Sequence, residues 1–178
     1  MGSQSIDLRS VLHETLSFGY GDLVTRRTGA AVRNGIVELL GDASGDDVTF
    51  IDFGKVRVLD LSCADEIVAK LLIEQRARNF VLKGISDGHR EAIEPVLEQH
   101  DLAALAQDRA GTITALGRLS DGARRAVAWI AEHGKLDIQD FAKDLELTEE
   151  HARDLIAELV ERGLAKDSED GTQAMYSA

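Results

Sequence analysis

The stretch Val48–Ile73, VTFIDFGKVRVLDLSCADEIVAKLLI, decides the fold. Val48 to Phe53 is almost wholly apolar or β-branched, the composition of a strand covered on both faces. Val56, Val58 and Leu59 carry the chain on to Asp60 as a second short apolar strand. Ser62, with Asp65 three positions later, has the spacing of a capping box. From there Ala64, Ile67, Val68, Leu71 and Leu72 recur at helical spacing, giving one apolar stripe. A central strand is therefore expected to deliver Ser62, Cys63 and Asp65 to a helix N-terminus at the end of a sheet.

Outward from this stretch, the pattern alternates strand and helix. SIDLRSVLHETL (5–16) is expected to form a strand and a helical turn, and FGYGDL (18–23) a loop or hairpin. The latter lacks the third glycine of a dinucleotide fingerprint. Thr25–Leu40 predicts a helix with Val32, Ile36, Leu39 and Leu40 on one face, ended by Gly41 and the loop GDASGDD. Phe80–Ile85 predicts the next strand. Asp87 is the expected cap of a helix carrying Ile93, Val96 and Leu97, kinked or restarted at Pro95. Helices between strands require crossovers, so part of the sheet must be parallel. Residues 107–118 lack helical period and are expected to be a linker with at most one short strand.

After Leu119 the pattern becomes helical. Ser120 or Asp121 caps a helix through Val127, Trp129 and Ile130. A short helix through Ile138, Phe141, Ala142 and Leu145 follows. A third runs from Thr148 through Ala152, Leu155, Ile156, Leu159 and Val160 to Gly163, and a turn at Asp170–Gly171 sits between two strands. Three helices and a hairpin predict a winged helix-turn-helix. The expected organisation is an α/β domain over 1–106, the linker, and a smaller winged-helix domain over 119–178.

The net charge of −12 argues against general affinity for nucleic acid or anionic membranes. Residues 119–178 hold seven basic and fourteen acidic residues, a net of −7, which opposes DNA binding. No apolar run approaches the roughly 20 residues of a membrane span. The N-terminus lacks an apolar signal core, so a cytoplasmic protein is expected. Cys63 is the single cysteine and the five histidines are scattered, so neither a metal site nor a cofactor is expected.

Two resemblances follow. Asp52, Val56, Val58, Leu59, Asp60, Leu61 and Ser62 resemble the strand-to-helix motif of STAS domains, the fold of anti-sigma-factor antagonists. Ser62-Cys63-Ala64-Asp65-Glu66 and the upstream Thr25-Arg26-Arg27-Thr28-Gly29-Ala30-Ala31-Val32-Arg33 resemble a bacterial STAS-like family of unknown function. The likeness spans roughly residues 20–105. The C-terminal third resembles winged-helix domains of bacterial and archaeal regulators. In sigma-regulator antagonists the phosphorylated hydroxyl directly follows the aspartate. Leu61 stands there in this chain, and the hydroxyl is Ser62.

These residues carry alternative readings. Ser62 is a cap, a phosphosite or a nucleophile, the last needing a base that the motif lacks. Cys63 is a thiol activated by the helix dipole or a small buried hydrophobe. Asp60, Asp65 and Glu66 bind a partner or metal, or serve the helix dipole. Arg26, Arg27 and Arg33 form a solvated patch or receive a phosphate or acidic partner. The leading expectation is a non-enzymatic signalling adaptor whose Asp60–Glu66 surface binds a regulatory protein. The resemblance implies a kinase-like ATPase as that partner. The winged helix would be a second protein contact or homodimer interface. The alternative is a DNA-binding transcription regulator with the STAS-like domain as sensor.

Overall fold

Strands with apolar residues at every position need cover on both sides, and the computed structural model supplies it. It describes residues 3–16, 21–41, 47–166 and 172–174. In chain order the first elements are β1 (Ser3–Asp7), α1 (Leu8–Leu16), β2 (Asp22–Leu23), α2 (Arg26–Leu40), β3 (Val48–Asp52) and β4 (Val58–Leu59). Then come α3 (Leu61–Ala64), a π-helical segment (Asp65–Lys70), α4 (Leu71–Glu74), β5 (Asn79–Ile85), α5 (Asp87–Gln99), β6 (Ala103–Asp108) and β7 (Ile113–Gly117). The last are α6 (Asp121–His133), β8 (Lys135–Leu136), α7 (Ile138–Asp144), α8 (Glu149–Glu161), β9 (Ala165–Lys166) and β10 (Thr172–Ala174). The protein is mixed α/β.

The main sheet has the order β1-β3-β5-β6-β7, parallel except for the antiparallel β6–β7 pair. Each strand's period of two divides its side chains between two cores. Ile51, Phe80, Leu82, Ala104, Ala106 and Leu116 face one core, shared with α1, α2, the helix from Leu61 to Glu74, and α5. Val81, Leu105, Ile113 and Ala115 face the other, joined by the partly buried Val48 and Phe50. That second core is completed by Val127, Trp129 and Ile130 of α6, Phe141 of α7, and Leu155, Ile156 and Leu159 of α8. The C-terminal helices are thus the cover of the sheet's second face. Arg124 of α6 fastens them, donating to the carbonyls of Ala115 (2.7 Å) and Gly117 (2.5 Å).

The segment 107–118, expected to be a linker, is the end of β6, a turn and β7. Small residues concealed its alternation: in ITALG, Ile113 and Ala115 face the second core and Leu116 the first. Asp108 builds the turn by accepting from the N–H groups of Ala110 and Thr112, both at 2.8 Å.

Other expectations change locally. The strand that leads to Asp60 is not central: among the described residues β4 pairs only with β2, in a parallel ladder separate from the main sheet. Leu39 is 51% exposed rather than on the buried face of α2, and Val160 of α8 is 37% exposed. Ser86, not Asp87, caps α5, with the His89 ring completing a capping box, and the helix continues through Pro95. Glu158 of α8 accepts from the Ser120 N–H (3.1 Å) and hydroxyl (2.7 Å) at the cap of α6. In the C-terminal unit, α6, β8, α7, α8, β9 and β10 include a three-stranded antiparallel sheet ordered β8-β10-β9. The loop 42–46, the Asp170–Gly171 turn, and Phe18 to Tyr20 of the FGYGDL stretch lie outside the described residues.

Candidate functional site

The N-termini of two helices meet beside Asp60. One is α2, capped by Thr25; the other is the continuous helix from Leu61 to Glu74, capped by Asp60 rather than Ser62. Asp60 wins the cap because its extended backbone (φ −85°, ψ 164°) aims the carboxylate at the first turn. Its Oδ1 accepts from the Cys63 N–H (2.7 Å) and the Ser62 hydroxyl (2.9 Å), and its Oδ2 from the Thr25 N–H (2.8 Å). One carboxylate therefore holds both helix starts. Burial pushes its pKa upward, but the Thr25 and Cys63 N–H groups and the Ser62 hydroxyl outweigh that and hold it below the usual value.

Thr25 is the backbone outlier of the site, at φ 75° and ψ 138°. A β-branched residue there is strained, at a cost of order 1–3 kcal/mol. Three contacts hold it: its N–H on Asp60, and its carbonyl accepting from the Gly29 N–H (3.1 Å) and the Cys63 thiol (3.0 Å). Gly29 lets the helices approach this closely. A Cβ there would lie 2.9 Å from the Cys63 Cα and 3.0 Å from the Glu66 Cβ.

Behind the tip lies an ion-pair network. Glu66 is only 3% exposed, and takes Arg26 (2.9 Å), Arg33 (2.8 Å) and Lys70 on its two oxygens. Asp65 takes Arg26 (2.6 Å) and the His100 Nε2–H (2.8 Å), and Arg33 also reaches Glu74 (3.4 Å). Burial raises both carboxyls, and their hydrogen-bond partners overcome it: Arg26 and His100 lower Asp65, while Lys70, Arg26 and Arg33 lower Glu66. The π-helical segment explains how Glu66 gets inside. Its wider turn buries four consecutive residues, Glu66 to Ala69, where the 3.6-residue stripe predicted only Ile67 and Val68.

The expected site residues thus separate. Cys63 is fully buried, and burial plus the Asp60 charge pushes its thiol up to about 12, so it is no thiolate nucleophile. Glu66 is an interior ion. Arg26 and Arg33 are spent on Asp65, Glu66 and Glu74, whereas exposed Arg27 makes no ion pair among the described residues. Ser62 and Asp65 are half-buried at the tip.

The chain matches no known protein family, no curated protein and no solved structure.

What the sequence reading missed is apolar. Among the described residues, three of the five large exposed hydrophobics surround this tip: Leu61 (54%), Val58 (49%) and Val24 (42%). The β2–β4 register, Asp22 with Val58 and Leu23 with Leu59, sets Val24 beside Asp60. Val58 shares its parity with buried Val56, yet it is exposed. Val56 instead belongs to a turn, its N–H on the Phe53 carbonyl at 2.9 Å. Among the described residues no group of three or more His, Cys, Asp or Glu could hold a metal ion, and no helix is long and apolar enough to cross a membrane.

Proposed function

We propose that the protein is a non-enzymatic signalling adaptor, with a STAS-like α/β unit docking a regulatory protein through the tip around Asp60, Leu61 and Ser62. The observation that carries this is the cluster of Val24, Val58 and Leu61 in solvent beside two joined helix starts. Large apolar side chains gathered on a surface mark an interaction site more often than scattered ones do. Exposed Arg27 and half-buried Ser62 and Asp65 supply the polar rim. By resemblance, the partner is a kinase-like ATPase.

Ser62 is the switch in this reading. Its hydroxyl donates to Asp60, so a phosphate of about −1.5 to −2 charges would face a carboxylate. Repulsion would loosen Asp60 from Thr25 and let the strained backbone relax. The unit from α6 to β10 is a winged helix in this proposal, supported by its element order and three-stranded antiparallel sheet. It serves as a second protein contact or homodimer interface. The DNA-binding alternative is disfavoured by Glu149, Glu150, Asp154 and Glu161 exposed on α8, where Arg153 is paired to Glu149 at 2.8 Å.

The test is quantitative affinity capture with the tagged wild-type chain and with Val58→Asp/Leu61→Asp, both at exposed positions. The double variant should retain its melting temperature and lose at least about tenfold of a specifically captured protein. An unchanged captured set removes this surface as the docking site. Low-salt gel shifts that weaken steeply with salt, and vanish in Arg153→Ala, would favour the DNA reading.

A further inference from the structure

A second site lies where the two halves of the chain meet. A cleft of about 730 Å³ opens between the N-terminal ends of β5 and β6, the end of α5, and the C-terminal end of α8. Its size is that of small-molecule pockets, roughly 300–1,000 Å³. Phe80, Leu102, Val160 and Leu164 give it apolar walls, and Val160 is one of the large hydrophobics left exposed.

The polar wall is unusual for a chain of net charge −12. Arg76, Arg78, Arg162 and His100 all line it. Arg78 is anchored through Nη2 to the carbonyls of Gly41 (2.6 Å) and Leu40 (3.3 Å). Arg162 is anchored on the Asp101 carbonyl (3.2 Å) and carboxylate (3.4 Å). Arg76 has no hydrogen bond or ion pair among the described residues. Of the three acids in the lining, Asp101 is taken by Arg162 and lies 3.8 Å from Arg118, and Glu158 is taken by Ser120. Glu161 alone has no partner among the described residues. Guanidinium N–H groups that remain unspent beside an apolar wall match an oxyanion on an apolar body, because the planar fork binds carboxylate or phosphate bidentately.

We propose that this cleft binds a small organic oxyanion, a phosphate monoester or a carboxylate, with Arg76 and Arg78 on the charge and Phe80, Leu102 and Val160 against the apolar part. The site is separate from the docking tip, and its binding requires no partner protein. His100 nonetheless joins the two, since it lines the cleft while donating to Asp65, which takes Arg26.

The experiment is an amide NMR titration of the full chain with phenyl phosphate, benzoate and neutral benzyl alcohol. Saturable shifts are expected at Phe80, Ala103 and Gly163 with at least one anion, and none with the alcohol. Tighter phenyl phosphate binding assigns a phosphate ester, and tighter benzoate binding a carboxylate. Arg76→Gln should weaken the bound anion about tenfold or more, and Glu161→Gln should strengthen it severalfold. Neither side chain holds the fold. No saturation up to about 10 mM, shifts confined to other residues, or equal affinity in Arg76→Gln overturns the proposal.

Discussion

Replacing Asp60 tests the physical centre of the site. In Asp60→Ala, the N–H of Cys63 loses its cap, which costs about 1 kcal/mol. The N–H of Thr25 loses a charged acceptor, of a kind worth about 1.5–3 kcal/mol and less at this exposed position. Against this, freeing Thr25 from φ 75° returns about 1 kcal/mol. The expected net loss is about 1–2 kcal/mol, or about 2–8 °C in melting temperature for a chain of this size. Asp60→Asn keeps one acceptor oxygen, and its amide then faces the Thr25 or Cys63 N–H, so about half the loss is expected. Thr25→Gly should be neutral or stabilising by up to about 1 kcal/mol, since glycine tolerates the positive φ. Urea denaturation measures all three. The sign with pH also follows. Asp60, Asp65 and Glu66 all have depressed folded-state values, so their stabilisation is present above the ordinary carboxylate range and is lost as pH falls through the depressed values. Asp60→Asn should flatten part of that acid limb. A loss below about 0.5 kcal/mol in Asp60→Ala, or an acid limb unchanged by Asp60→Asn, would refute the account of a carboxylate joining two helices.

Two further outcomes are expected. Native Cys63 should react with a disulfide reagent at pH 8 at least about a thousandfold more slowly than free cysteine, because reaction requires local opening; labelling within about tenfold of the free thiol contradicts its burial under α2. Leu105→Ala in β6 should cost about 2–4 kcal/mol and lower the transition seen by the single tryptophan, Trp129 of α6, together with that seen by far-ultraviolet circular dichroism. Separate transitions would mean that the sheet and the C-terminal helices do not share a core.

Much of the architecture is legible because it depends on neighbours in the chain. Strand Val48–Asp52, the caps Ser120 and Thr148, and the buried stripe Ala152–Leu159 lie as their local patterns predict. Periodicity and capping act over a few residues, so a sequence displays them directly. The one short strand expected within 107–118 is β7, but its place in the main sheet was not legible, because Thr114, Ala115 and Gly117 dilute its alternation and its pairing with β6 supplies the rest. The candidate site was only half visible. The motif Asp60–Glu66 stood out, but which of its members faces water did not.

The amino-acid order alone determined that strands alternate with helices, that the middle strands are covered on both faces, and that Asp60, Ser62 and Asp65 cluster at a helix start. Tertiary structure decided that Asp60 also reaches Thr25, 35 residues away, that Glu66 and Cys63 turn inward, and that Val24, Val58 and Leu61 stay in solvent. The reason is range. Local patterns specify which groups seek partners, but long-range packing specifies which partners they meet, and a π-helical turn or a close approach at Gly29 redirects side chains that a regular period would place elsewhere.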